Sequence, residues 1–436
     1  MPQARRRFFI RPMEHGLTTE HPFIHSPYTM ATWPTKNTIV DQRSIMKRPG
    51  YDTIHRNLGA GITPLDVLIY SMKDGTRFTL YLTAADLIQK ETSGSNTWSY
   101  KTETGDYNST IASISGATVT GKAGTTFSTD GVAAGDKFIL DTDHSSAVEP
   151  DTNWATVSTV DTELQITLTA SYSGTTGSWG GSEKDALIRK VYTTPSNERW
   201  SWAVVDDKFI FTNGNTDVQY WAGSGYAADL ETGAAVATKA RYCLEYANRL
   251  ILLDYGSTRD PLGMAWSKEG DPTDWTDSTA GSAQLLETED IITGGAKIGG
   301  QLVVYKRNSI FFWYRTGEST APIARASYRE GIGCIAPYSI VKFLGTNAFL
   351  GRDNFYKLVG NEPVAIGDAV RDKLFDLAGQ TEAEQTWSFI DNDNRLIHWF
   401  VDTNEGQYAF VWNYQTEEWT VFQFYHEISC GGKGAL

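Results

Sequence analysis

Hairpin-like stretches recur at nearly even spacing along residues 200–415, and this regularity constrains the fold more than any other feature of the chain. In the plainest of them, 302–305 is a short apolar run, Lys306-Arg307-Asn308 is a polar turn, and 310–314 is a second run ending in aromatics. β-branched and aromatic residues fill both runs and turn residues bound them, which is the pattern of paired strands. The same order recurs where 207–214 leads to 218–221, 248–254 to 264–266, 347–351 to 354–358, and 394–401 to 408–412. Alignment on Lys208, Arg249, Gln301, Ala348 and Arg395 gives steps of 41, 52, 47 and 47 residues. A sixth unit, 75–82 followed by 86–88, lies 131 residues upstream when measured at Arg77. A Gly/Ser/Thr-rich block at 107–192 holds 86 of those residues, and without it the step is 45. Several short strands per unit at this period are what a β-propeller requires, because one blade cannot bury both of its faces alone. A sandwich or an irregular solenoid would not need so even a spacing.

The expected fold is therefore all-β: a β-propeller of six blades with a small β-barrel or sandwich inserted in the first blade. The expected division is an extended arm over 1–60, the first blade over 61–106, the inserted domain over 107–192, the remaining blades over 193–425, and a flexible end over 426–436. The two ends of the insertion are expected to be close together and to belong to one blade. Helical periodicity is weak, and the best helix candidate, 366–377, falls between the fifth and sixth units. Trp202, Trp221, Trp266, Trp313, Trp399, Trp412 and Trp419 are expected to pack the blades.

Net charge is −14, which argues against general affinity for nucleic acid. It is unevenly spread: residues 1–60 carry +5 and the remainder −19. Arg5, Arg6, Arg7 and Arg11 make a basic tip, the candidate contact for a partner or for DNA. Cys243, Cys334 and Cys430 give neither a disulfide framework nor a zinc spacing. No apolar run is long enough to span a membrane, and the basic start lacks the apolar core of a signal peptide.

The chemical motifs are weak. Residues 116–123 fall one residue short of a phosphate-binding loop, with Ala123 where a metal-holding hydroxyl should be and a β pattern following. The glycines at 331–336 and 223–228 lack the strand–turn–helix setting of a dinucleotide fingerprint. Asp391-Asn392-Asp393-Asn394 begins like a calcium loop, but Arg395 stands where an oxygen ligand belongs. Asp141, Asp143 and His144 form a loop cluster, His398 sits in a strand pattern, and Glu417-Glu418 marks a turn. No catalytic, cofactor or metal residue is expected, and the chain is not expected to be an enzyme.

A more specific signal is an ordered set of words: Asn248-Arg249-Leu250, then 266–275 with its Trp266-Ser267-Lys268-Glu269-Gly270-Asp271-Pro272-Thr273-Asp274-Trp275, then Asp290-Ile291-Ile292-Thr293, then 300–310. Together with Lys47-Arg48-Pro49-Gly50, this set resembles the propeller region of tail hub and nozzle proteins of short-tailed bacteriophages, also called packaged-DNA stabilisation or tail tubular proteins. The resemblance implies a structural virion protein, assembled in the host cytoplasm into a ring of six below portal and adaptor. DNA would pass down its channel without sequence-specific binding, first retained and then ejected, and fibres, spikes or a needle would attach outside. Six copies would carry −84, and like-charged walls do not hold DNA. The alternative is a carbohydrate- or receptor-binding, or glycan-degrading, propeller with a concave site lined by aromatics and acids.

Overall fold

The computed structural model describes residues 62–90, 98–144, 154–196, 198–230, 239–424 and 428–431, together with four short strands between 17 and 47. Arg5, Arg6, Arg7 and Arg11 lie outside the described residues, as do 48–50 and the closing 432–436. The fold is all-β, with six four-stranded antiparallel sheets following one another along the chain as the blades of a β-propeller. In every blade the spatial order of strands is their sequence order, a simple meander.

Residues 55–283 form one unit and hold the first three blades. Their strands are Pro64–Ser71, Arg77–Thr83, Leu87–Lys90 and Trp98–Tyr100; then Ser201–Val205, Lys208–Thr212, Gln219–Trp221 and Ala228–Asp229; then Ala240–Tyr246, Arg249–Tyr255, Asp260–Trp266 and Gly281–Gln284. Residues 284–431 belong to a second unit with the other three. These run Ile292–Ile298, Gln301–Lys306, Ser309–Arg315 and Ile323–Glu330; then Val341–Phe343, Thr346–Leu350, Phe355–Val359 and Glu362–Ala365; then Trp387–Asp391, Leu396–Thr403, Gly406–Asn413 and Glu418–Gln423. Arg77, Lys208, Arg249 and Gln301 each open the second strand of their blade, which is why the spacing of those residues reported the blades.

The cores lie between neighbouring blades. Tyr70 and Phe78 of the first blade meet Trp221 of the second at ring-centroid distances of 5.8 and 4.9 Å. Phe355 of the fifth blade sits 4.8 Å from Trp399 and 4.9 Å from Trp419 of the sixth. Each such ring pair adds about 0.5–1.5 kcal/mol beyond the area it buries. Of the seven tryptophans expected in blade packing, six are buried, whereas Trp202 is 40% exposed. Its indole is held at the edge of the second blade by donating to the Asp66 carboxylate at 2.8 Å.

Residues 104–189 form a small barrel. Its strands are β1 Thr104–Ser115, β2 Thr118–Gly121, β3 Lys137–Leu140, β4 Ala155–Thr162, β5 Gln165–Leu168, β6 Gly177–Ser178 and β7 Lys184–Arg189. The pairing runs β2-β5-β4-β3-β7-β1 and returns from β1 to β2, so the sheet closes, with β6 added beside β1. Phe127, Phe138, Ile111, Val119 and Ile166 fill the interior. Thr104 pairs directly with Arg189, so the two ends of the lobe are side by side. The flanks, however, belong to different sheets: Tyr100 ends the first blade and Ser201 opens the second. The lobe therefore joins two complete blades rather than interrupting one.

Two further differences are local. The helix expected over 366–377 is Arg371–Leu377. Residue 366 is claimed by the sheet, since Ile366 donates to the Phe355 carbonyl and accepts from the Trp419 indole. Lys306 ends a strand and is fully buried, although its neighbours Arg307 and Asn308 do make the turn.

Candidate functional site

A half-open recess among the described residues lies at the base of the barrel. It has a volume of about 420 Å³ and is lined from the start of β1, the loop at 124–132, the end of β7 and the residues flanking the barrel. Gly124 and Gly135, both at φ near +100°, turn the chain so that this loop folds over the strand ends. Asp130 accepts from the Thr126 hydroxyl at 2.8 Å and from Tyr107, whose ring rests 5.2 Å from Phe127. Asp136 accepts from the Ala133 and Val191 amides at 2.9 and 3.3 Å.

The recess is acidic. Glu103, Asp106, Asp130 and Asp136 face a single cation, Lys190, which approaches Glu103 at 3.9 Å. Burial pushes the Glu103 carboxyl up to about 7, reinforced by the negative charge of Asp229 and opposed by Lys190, with Asp136 and Asp217 adding to the rise. Burial also raises Asp136, against its two backbone hydrogen bonds, and raises Tyr107. The arrangement offers anionic and hydroxyl acceptors to a ligand rich in N–H donors, with a proton-donating Glu103 near neutrality.

The neck beneath the recess is rigidly built. Arg189 forms a buried ion pair with Asp86 of the first blade and stacks 3.9 Å from the Tyr100 ring centroid. The Tyr192 hydroxyl donates to Gln219 at 3.0 Å and accepts from the Glu103 amide at 3.1 Å. Tyr192 and Thr194 donate their amides to Ala85 and Ala84. One chain of contacts therefore ties barrel, first blade and second blade together.

The motifs weighed in the sequence are spent on turns. Gly116 starts the β1–β2 hairpin, with Ser115 opposite Thr118, so residues 116–123 open no helix. Gly333 is packed so tightly that a Cβ would stand 2.3 Å from the Lys306 carbonyl, and Gly223 turns the chain at φ +85°. Asp391 accepts from the Asp393 and Asn394 amides at 3.1 Å each, a side-chain-capped turn. Asp143 accepts from Tyr172 and Thr175. His398 lies among the Phe389, Phe400 and Phe422 rings, Glu417 pairs with Lys357 at 2.6 Å, and Glu418 accepts from Thr416. No group of three or more His, Cys, Asp or Glu among the described residues is placed to hold a metal. No helix among them is long and apolar enough to cross a membrane. Sequence reasoning did not find the recess. Its acids are scattered from 103 to 136, and only barrel closure gathers them.

No family model and no curated protein matches the chain. Solved structures with a similar fold include a putative exported protein of Bacteroides fragilis (9% identity, 51% of this chain and 70% of that one, TM-score 0.30). Another is the extracellular domain of a putative one-component system of B. thetaiotaomicron (10%, 82% and 39%, TM-score 0.33). A third is the endosialidase of phage phi92 (12%, 78% and 52%, TM-score 0.25). The chain thus spans about two-fifths of the second and half of the third. These scores assign no activity to it.

Proposed function

We propose that this chain is a structural subunit of a short-tailed phage tail, a hub or nozzle ring below portal and adaptor through which the genome is retained and then ejected. The observation that supports this is how the stretch carrying the resemblance is used. Asp271, Asp274 and Asp277 each accept from a threonine amide and hydroxyl two residues on, and Lys268 lies 3.3 and 3.6 Å from Asp274 and Asp277. Buried Arg249 donates to the Ser267 and Thr279 carbonyls, while Trp275 plugs the core between the second and third blades. The charged groups of that loop are committed to holding backbone in place, which is what a scaffold asks of them. The barrel, fixed by its neck, is the attachment surface for fibres, spikes or a needle, and the acidic wall lets DNA slide. The purified chain mixed with portal–adaptor complexes should form a stoichiometric assembly visible by mass photometry. Failure to associate at micromolar concentrations, with all partners folded, contradicts the proposal.

A receptor- or glycan-binding role is the second reading, favoured by the polar recess and by the half-exposed Trp202. Saturable binding of a defined oligosaccharide, lost on filling the recess, would select it over the first.

A further inference from the structure

The recess at the base of the barrel has more negative than positive charge, and the chain carries the complement elsewhere. Four carboxylates line it against Lys190 alone, and Asp217 and Asp229 of the second blade add to the field at Glu103. Asp130 and Asp136 already have hydrogen-bond donors, but the exposed Asp106 carboxylate, on a residue whose backbone pairs with Leu187, has no side-chain hydrogen-bond or ion partner among the described residues. The Thr110 hydroxyl, in the same lining, is buried and lacks a partner among them. Tyr107, Val132 and Ile188 supply apolar wall.

This combination suits a guanidinium better than an ammonium. A planar fork with five donors can meet two carboxylates and a hydroxyl at once, while its alkyl stem lies along apolar wall. A volume of about 420 Å³ falls within the range of ligand pockets, about 300–1,000 Å³. The chain's own cationic segment is its first sixty residues, at +5 against −19 for the rest, and its arginines are concentrated at Arg5, Arg6, Arg7 and Arg11.

We propose that the recess binds the arginine-rich N-terminal arm of a second copy of this chain. Arm and recess are different surfaces, so the contact is head-to-tail, the kind that closes into a ring when the rotation allows. It stands whether or not the ring belongs to a tail. Binding weakens as pH falls from 8 to 6, because Glu103 gains a proton near 7 in the combined field of Lys190, Asp229, Asp136 and Asp217.

The test uses a labelled peptide of residues 1–14 titrated by fluorescence anisotropy into the chain lacking those residues, at low salt and pH 8. Saturable binding is expected, about tenfold weaker for the Glu103→Gln/Asp106→Asn chain and weaker again in high salt. A peptide with Arg5→Glu, Arg6→Glu and Arg7→Glu should not bind, a control that leaves the folded chain untouched. The full chain should form concentration-dependent oligomers by sedimentation that the same three arm substitutions dissolve. No peptide binding, or equal binding to a Glu103→Gln/Asp106→Asn chain that still unfolds cooperatively, overturns the proposal. Peptide binding by the shortened chain, with a full chain that stays monomeric, overturns the second-copy contact, since the arm would then occupy its own recess.

Discussion

Lys306 ends the second strand of the fourth blade with no exposed surface. Its ammonium donates to the Leu285 and Thr288 carbonyls and to the Thr288 hydroxyl at 3.0, 2.8 and 2.8 Å, with Asp290 at 3.5 Å. Burial holds it below the usual lysine range. Lys306→Met removes three hydrogen bonds and the nearby positive charge from Asp290, which keeps the Asn308 amide and the Ser309 hydroxyl, so urea unfolding should show a loss of about 3 kcal/mol. In the sequence this residue belongs to a polar turn, because its burial depends on residues 285–290 folding over it and no local pattern encodes that. Glu103 carries a pH prediction. Its folded carboxyl protonates at about 7 against an ordinary 4.5, so the folded chain binds a proton the unfolded chain lacks between those values. Stability from this group is therefore highest at acid pH and lost as pH rises to 7. Glu103→Gln should gain about 1–2 kcal/mol at pH 8, allowing for partial exposure, and almost nothing at pH 4.5. Leu344, at φ +42° and 78% exposed, sits in a two-residue turn with Gly345 where asparagine is better suited. Leu344→Asn should raise stability by about 0.5–1 kcal/mol in the same unfolding assay.

At the scale of elements, the hairpins were legible and their surroundings less so. Two-residue turns with both residues at positive φ join the first and second strands at Asp206-Asp207, Ala247-Asn248 and Leu344-Gly345. Alternating apolar runs and turn residues reveal such units locally. The inserted barrel was legible as a Gly/Ser/Thr-rich departure from the repeat, but not its placement between two blades, because the short fourth strand of the first blade, Trp98–Tyr100, has no signal of its own. Trp202 misled for a related reason: strand alternation gives two faces and does not say which meets a neighbouring blade. The recess required closure of the barrel and could not be seen in any single segment. The junction of lobe and blade is testable. Breaking the buried Arg189–Asp86 pair with Arg189→Met should cost about 3–5 kcal/mol, because Asp86 is left charged and nearly buried. Arg189→Met with Asp86→Leu should recover most of it, read from thermal unfolding of both variants.

For the whole molecule, six meandering sheets and one closed barrel make up most of the described fold. Apolar clusters join blades one to three and blades four to six, and polar groups of loops such as 268–279 cap turns, whereas the acids at the base of the barrel converge. The proposed tail role asks for a fixed place for attached parts, and the contacts at Arg189, Tyr192 and Glu103 would supply it. The central claim is that this chain builds a ring in a particle, and cryo-electron microscopy of purified virions produced with an epitope-tagged copy tests it directly. A ring of propellers at the tail vertex, with the tagged barrel on its periphery, is the expected result. Virions without the tagged chain, or the chain found as a free glycan-binding monomer, would contradict it.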